Sequence, residues 1–279
     1  MSTIGVFDSG VGGLSVLRHL RAQRPGADLI YVADSAHVPY GPRPLAEVRA
    51  FSEAIARFLL GQGAQVVVVA CNTASAAALK HLRATFPQVP FVGMEPAVKP
   101  AAEQTRTGVV GVLATPATFQ GELFASVVER FANGVTVIPQ VCPGLVQQIE
   151  AGELDSPATE AMLRGWVEPL LARNIDALVL GCTHYPFVIP LLEKIAGPGV
   201  RVIDPAPAVA RQTARVLDGV GEPEGRGAPG PLTYYTTGDP TAFAQIVARL
   251  GLEAAPVRAA RWDAAGSAVR PVPFTAERV

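Results

Sequence analysis

The chain has 279 residues, of which 49% are hydrophobic and 17% charged, and its formal net charge is −1 at pH 7. That length holds about two domains, and the composition is that of a compact globular protein rather than a disordered one. The near-neutral balance lacks the basic footprint of nucleic-acid binding, and no apolar run approaches the ~18 residues of a membrane span.

The amino terminus, Met-Ser-Thr-Ile-Gly-Val-Phe-Asp, has no basic region and enters a strand almost at once, which is not the pattern of a signal peptide. Strand-like runs follow at 4–7, 29–33, 66–70, 91–94, 109–113, 135–139, 177–181 and 201–203. Between them lie helical patterns such as 45–60, 74–85, 117–131 and 158–172. Alternation of this kind predicts βα units, with parallel strands and helices on both faces. The stretch 219–231 has the glycine and proline content of a linker or long loop, and a strand (232–237) and a helix (241–250) come after it. From about Ala259 the chain is rich in Ala, Arg and Pro, so 259–279 is expected to be a loosely packed C-terminal tail.

Two landmarks repeat. Ile4-Gly-Val-Phe-Asp8-Ser9 is similar to Val110-Gly-Val-Leu-Ala-Thr115, and the apolar run into Cys71 matches the run into Cys182 at nearly the same offset. The expectation is an α/β fold of two similar, pseudo-duplicated three-layer lobes with mainly parallel sheets and an active site in the cleft between them. The first lobe takes 1–96 and 208–258, the second 97–207.

Val66-Val-Val-Val-Ala-Cys71-Asn-Thr73 and Ala177-Leu-Val-Leu-Gly-Cys182-Thr-His184 each read as a buried strand running into a helix. Both thiols then sit at the carboxyl end of a parallel strand, where ligands of open α/β sheets gather, and at a helix amino terminus, which favours thiolate. Two thiols in matched settings suggest a pair of acid/base groups on one substrate. Cys142 precedes Pro143 without a polar companion and reads as packing. Three widely spaced cysteines in a chain of this size fit reduced thiols in a cytoplasm.

Asp8-Ser9-Gly10-Val-Gly12-Gly13 follows a strand and opens a helix, so its amides can cradle an anion. Gly10-x-Gly12-x-x-Ser15, with Asp34 ending the next strand, comes close to a dinucleotide fingerprint and leaves a nicotinamide oxidoreductase open. Asp8 beside the loop would repel a pyrophosphate and suits an amino acid's ammonium better. Cys182-x-His184 supplies only two metal ligands, with no fitting second pair, so His184 reads as a proton-handling neighbour of the thiol. His19 and His81 fall in helical stretches and read as surface residues, while Pro39-Tyr40-Gly41 is aimed at the same crevice from the turn after the second strand.

These segments together resemble the cofactor-independent aspartate/glutamate racemase family. The match is carried by Gly5-Val-Phe-Asp-Ser-Gly-Val-Gly-Gly13, Asp34 with Pro39-Tyr-Gly41, Ala70-Cys-Asn-Thr-Ala-Ser75 and Gly181-Cys-Thr-His-Tyr-Pro186. Val141-Cys-Pro143 leading to Glu150, and Asp204-Pro205, fall in the family's order, and the match spans roughly 4–218. His184 and Ser75 stand where aspartate-specific relatives carry Glu and His, so the resemblance points to glutamate.

It implies a two-base mechanism in which Cys71 acts on D-glutamate and Cys182 on L-glutamate, Asp8 assisting Cys71 and His184, supported by Glu150, assisting Cys182. Asp8, Ser9, Tyr40, Gly41, Asn72, Thr73, Thr115, Thr118, Thr183 and His184 would bind substrate, with Asp34 in support. The resemblance further implies no cofactor or metal, a homodimer, a cytoplasmic location and a supply of D-glutamate for peptidoglycan. His37 and Gly121 depart from the common pattern, where many relatives have arginine and a hydroxyl residue. The direct start at the first strand predicts no activation through an amino-terminal extension. Aspartate remains the alternative substrate, and a non-catalytic interaction protein the alternative role.

Overall fold

The computed structural model describes residues 2–219 and 228–272. Its first lobe begins with β1 (Thr3–Asp8), α1 (Leu14–Gln23), β2 (Asp28–Ala33), α2 (Leu45–Gly61), β3 (Val66–Val69), α3 (Asn72–Thr85) and β4 (Phe91–Gly93). The chain then builds the second lobe from α4 (Val98–Gln104), β5 (Val109–Ala114), α5 (Pro116–Gln120), α6 (Glu122–Phe131) and β6 (Thr136–Val141). This lobe continues with α7 (Leu145–Glu150), α8 (Pro157–Leu171), β7 (Ala177–Gly181), a 3-10 turn (Tyr185–Val188), α9 (Ile189–Ala196) and β8 (Arg201–Ile203). It returns to the first lobe through α10 (Ala206–Gly219), β9 (Leu232–Thr236), α11 (Pro240–Arg249), β10 (Val257–Trp262) and β11 (Val269–Pro271).

The first sheet has the order β11-β10-β9-β2-β1-β3-β4 and the second β6-β5-β7-β8. Among the described residues every pairing is parallel except β10 with β11. The run β2-β1-β3-β4 has the same order as β6-β5-β7-β8, so the duplication read in the sequence is a duplication of topology. Central strands buried on both faces need no alternation, which is why β3 is four valines, all fully buried. Each such valine stabilises the fold by roughly 1.5–3 kcal/mol. Pro139, which cannot donate to a ladder, sits in β6 at the sheet edge.

We propose that the lobes divide near residues 96 and 207, as the repeat suggests. The support is packing: α4 lies against α6 and β7 of the second lobe, and α10 lies along α1 of the first.

Three expectations differ from the structure. Cys182 does not stand at the amino terminus of an α-helix: a turn and the 3-10 segment Tyr185–Val188 follow it, and α9 begins only at Ile189, Pro186 and Pro190 lacking the amides that a continuous helix from Thr183 would need. The helix expected over 117–131 is two helices, broken where Gly121 turns extended (φ −72°, ψ 139°) and comes so close to α3 that a Cβ there would lie 2.6 Å from Ala76 Cβ. The tail expected from Ala259 is instead structured as far as it is described. Val257–Trp262 pairs with β9 and Val269–Pro271 folds back on it, because backbone pairing at a half-exposed edge needs no apolar run. The linker read at 219–231 lies largely outside the described residues.

Candidate active site

β3 and β7 end at equivalent places, and the residue that follows each apolar run turns into the cleft between the lobes. Cys71 caps α3, its Sγ accepting the Ala74 amide at 3.4 Å. Cys182 lies in the turn after β7. The cleft takes Ser9, Pro39, Tyr40, Gly41, Cys71, Asn72 and Thr73 from the first lobe. From the second it takes Thr115, Val146, Cys182, Thr183 and His184. Both thiols are nearly fully buried on its walls.

The two thiols have unlike backing. Asp8, fully buried at the end of β1, lies near enough to Cys71 for the two charges to act on one another. Its Oδ2 accepts the amides of Gly10 (3.2 Å) and Gly13 (3.0 Å), and its Oδ1 accepts the Thr183 hydroxyl (3.3 Å) from the other lobe. On the far wall, His184 Nδ1 lies 3.8 Å from Cys182 Sγ, and its Nε2 lies 2.6 Å from Glu150 Oε1 at the end of α7.

Burial pushes the Asp8 carboxyl up, and the His184 charge and the Gly13 amide only partly oppose it. Burial also pushes the Cys71 thiol well up, with the Asp8 and Cys182 charges adding to it and the Ala74 amide opposing. The thiolate that a helix amino terminus favours is therefore outweighed at Cys71 by desolvation. Burial alone would lower His184, but hydrogen bonds to Cys182 and Glu150 and the Glu150 charge hold it well above its ordinary value. Near neutral pH this leaves an imidazolium facing Cys182 and a protonated thiol at Cys71.

The glycine loop is already filled by the protein's own carboxylates. Besides the Asp8 contacts, the Val11 amide donates to Glu150 Oε1 at 2.8 Å. A Cβ at Gly10 would run into the Glu150 carboxylate, and one at Gly12 would meet Thr183 Oγ1 at 2.7 Å and the His184 ring. The glycines admit Glu150 and His184, and no amide cradle is left for a pyrophosphate.

The remaining expected residues divide between the cleft wall and the layer behind it. Asn72 is 2% exposed on the cleft wall, and among the described residues neither its amide oxygen nor its nitrogen has a partner. Thr73 Oγ1 meets Thr115 Oγ1 across the lobes at 2.9 Å, and Thr115 Oγ1 meets Thr118 Oγ1 at 3.0 Å behind it. Asp34 does not line the cleft; it accepts the Tyr40 hydroxyl at 2.7 Å. Ser75 also stands back, joining the Val69 carbonyl (3.1 Å) to the Met94 amide (2.8 Å). Cys142 is buried, with Sγ 3.8 Å from the Gln140 carbonyl. His19 is half-buried, and so is His81, which pairs with Glu53 at 2.6 Å. His37 stacks on Phe51, ring centroids 4.0 Å apart.

Sequence reasoning missed Val146, an apolar wall that carries no chemical signature, and Trp262, whose indole nitrogen donates to Asp34 at 2.8 Å.

A duplicated α/β fold with two buried thiols on one cleft, one beside Asp8 and the other beside a histidine paired with Glu150, is the framework of an acid–base isomerase. The chain belongs to the Asp/Glu/Hydantoin racemase family, whose model matches residues 13–213. A glutamate racemase of Roseiflexus sp. is 55% identical over 250 residues, covering 89% of this chain and 92% of that one. The Escherichia coli glutamate racemase, solved with L-glutamate and the activator UDP-MurNAc-ala, is 31% identical with a TM-score of 0.81, covering 96% and 99% of the two chains. The Francisella tularensis glutamate racemase, solved with D-glutamate, is 29% identical with a TM-score of 0.80, covering 92% and 96%.

Proposed function

We propose that this chain interconverts L- and D-glutamate by moving one proton at Cα between Cys71 and Cys182, and so supplies D-glutamate for peptidoglycan. The observation that carries the reading is the placement of the two thiols at equivalent strand ends of the two lobes, on the walls of one cleft. Relatives solved with each enantiomer support the choice of substrate.

One thiolate takes the α-proton, the electron pair remains on the carbon conjugated with its carboxylate, and the opposite thiol protonates the other face. The cysteine that began as thiolate ends as thiol and its partner the reverse, so the reverse reaction starts from that state. Cys182 acts on L-glutamate with His184 and Glu150 behind it, and Cys71 acts on D-glutamate beside Asp8. Burial that raises the Cys71 thiol makes its thiolate, once formed, the stronger base toward carbon. Asn72 is a ready carboxylate ligand, since its buried amide lacks a partner among the described residues. Ser9, Tyr40, Gly41, Thr73, Thr115, Thr183 and His184 complete the binding surface, Thr118 supports Thr115 from behind, and Asp8 suits the substrate ammonium. Exclusion of water by the two lobes strengthens every one of these contacts at the carbanionic transition state. A homodimer and a cytoplasmic location belong to the same reading and rest on the family resemblance. Among the described residues, no helix is long and apolar enough to cross a membrane.

The test is incubation with L-glutamate in deuterium oxide without added cofactor, following circular dichroism and α-deuteration by mass, with L-aspartate in parallel. Loss of optical activity with one deuterium at Cα is expected for glutamate. A flat signal from folded protein with glutamate, or exchange with aspartate alone, would overturn the reading.

A further inference from the structure

We infer that Trp262, on the strand the carboxyl-terminal sequence adds to the first sheet, is a positioning residue for the substrate-facing loop at Tyr40 and Gly41. The inference rests on the reading of the cleft as a glutamate site. Asp34 is a fully buried carboxylate, and donors from three parts of the chain hold it in place. Its Oδ1 accepts the Trp262 indole N–H at 2.8 Å and the Thr237 hydroxyl at 2.7 Å; its Oδ2 accepts the Tyr40 hydroxyl at 2.7 Å and faces His37 Nδ1 at 2.9 Å.

A buried carboxylate is tolerated only while its oxygens are satisfied, so removing one donor re-aims the group toward those that remain. Re-aiming Asp34 moves the acceptor that fixes Tyr40. The consequence reaches the second lobe, because the Gly41 carbonyl accepts the Ala117 amide at 3.3 Å and a Cβ at Gly41 would lie 2.8 Å from Thr115 Cβ. Trp262 also closes the stack on His37, centroids 5.0 Å apart and near perpendicular, so the donor cannot swing freely. A chain of contacts thus runs from β10 through Asp34 and Tyr40 to the wall that meets substrate.

The test is Trp262→Phe, which keeps a ring and removes only the N–H, alone and combined with Tyr40→Phe. KM for glutamate is expected to rise about tenfold with kcat within about twofold, the scale of one hydrogen bond to a charged group. In the Tyr40→Phe background the second change is expected to add nothing further, since both act on one link. Hydrogen exchange by mass spectrometry is expected to show faster exchange at 36–42 in Trp262→Phe, with the turn at 182–185 unchanged. An unchanged KM with an active parent, or effects that multiply independently, would overturn the role of Trp262. Inactivity of the parent on glutamate would instead overturn the functional reading. The exchange data then decide the positioning, with equal rates at 36–42 counting against it.

Discussion

Glu150 Oε1 accepts the Val11 amide of the first lobe at 2.8 Å and lies 2.6 Å from His184 Nε2 in the second. One carboxylate oxygen therefore ties the glycine loop to the histidine that faces Cys182. It also explains the charge of His184, whose proton the Glu150 hydrogen bond and charge help to retain against burial.

Glu150→Gln keeps the shape and removes the charge. His184 then loses part of what raises it, so the fraction of enzyme with an imidazolium facing Cys182 falls at lower pH than in the parent. Loss of a charge-assisted hydrogen bond of roughly 1.5–3 kcal/mol predicts a fall in kcat of about ten- to a hundredfold. The sign for stability follows the raised folded value. The pair's contribution is complete below His184's ordinary 6.5 and is lost as pH rises through the folded value. Chemical denaturation from pH 6 to 9 should show a smaller decline in Glu150→Gln than in the parent; an equal decline would contradict the pairing.

Cys71 is held as a thiol by burial, with its folded value well above the ordinary one. Above about pH 8.5 the unfolded chain ionises this group and the folded chain does not, so stability falls with rising pH by about 1.4 kcal/mol per unit from this residue. Cys71→Ser removes that dependence. Urea unfolding between pH 8.5 and 10 should give a slope shallower by about that amount, while racemisation collapses at every pH. A slope equal to the parent's would show that Cys71 ionises as readily folded as unfolded.

Gly12→Ala places a methyl group 2.7 Å from Thr183 Oγ1 and against the His184 ring. The helix that follows tolerates alanine, so the expected outcome is a folded protein whose His184 and Thr183 are displaced from Cys182. Misplacement of about an ångström costs on the order of a hundredfold in kcat/KM. Because the enantiomers are equal in free energy, kcat/KM must fall by the same factor in both directions, which two polarimetric assays check. Near-parental activity would mean that the loop yields instead of the histidine.

Thr115→Val keeps volume and removes the hydroxyl between Thr73 and Thr118. The two remaining hydroxyls lose a buried partner at the meeting of the lobes, at a cost of about 1 kcal/mol. KM for glutamate should rise about fivefold with kcat little changed. A loss confined to kcat would place Thr115 in the proton transfer rather than in binding.

Much of the architecture is legible in the order of residues alone. Val66 to Val69 and Ala177 to Gly181 stand out because a strand buried on both faces tolerates nothing polar, and the small polar residues after each mark a turn, which leads straight into α3 at Cys71 and into a 3-10 segment at Cys182. The carboxyl-terminal strands are not legible for the opposite reason. β10 reads Val-Arg-Ala-Ala-Arg-Trp and buries only Ala260, so the backbone pairing that holds it leaves almost no trace in side-chain chemistry. The break at Gly121 is likewise invisible, since it is set by the nearness of Ala76 on another helix.

By itself the sequence determined the two βα lobes, the matched cysteine turns and the family they resemble, because each is written in a local run of residues whose burial dictates their type. Only the tertiary structure decided what occupies the glycine loop, whether Cys71 keeps its proton and which residue steadies Asp34. Those answers depend on groups far apart in the chain, Glu150 beside Val11, Thr183 beside Asp8, Trp262 beside Asp34, brought together in a medium where desolvation outweighs a local helix amide.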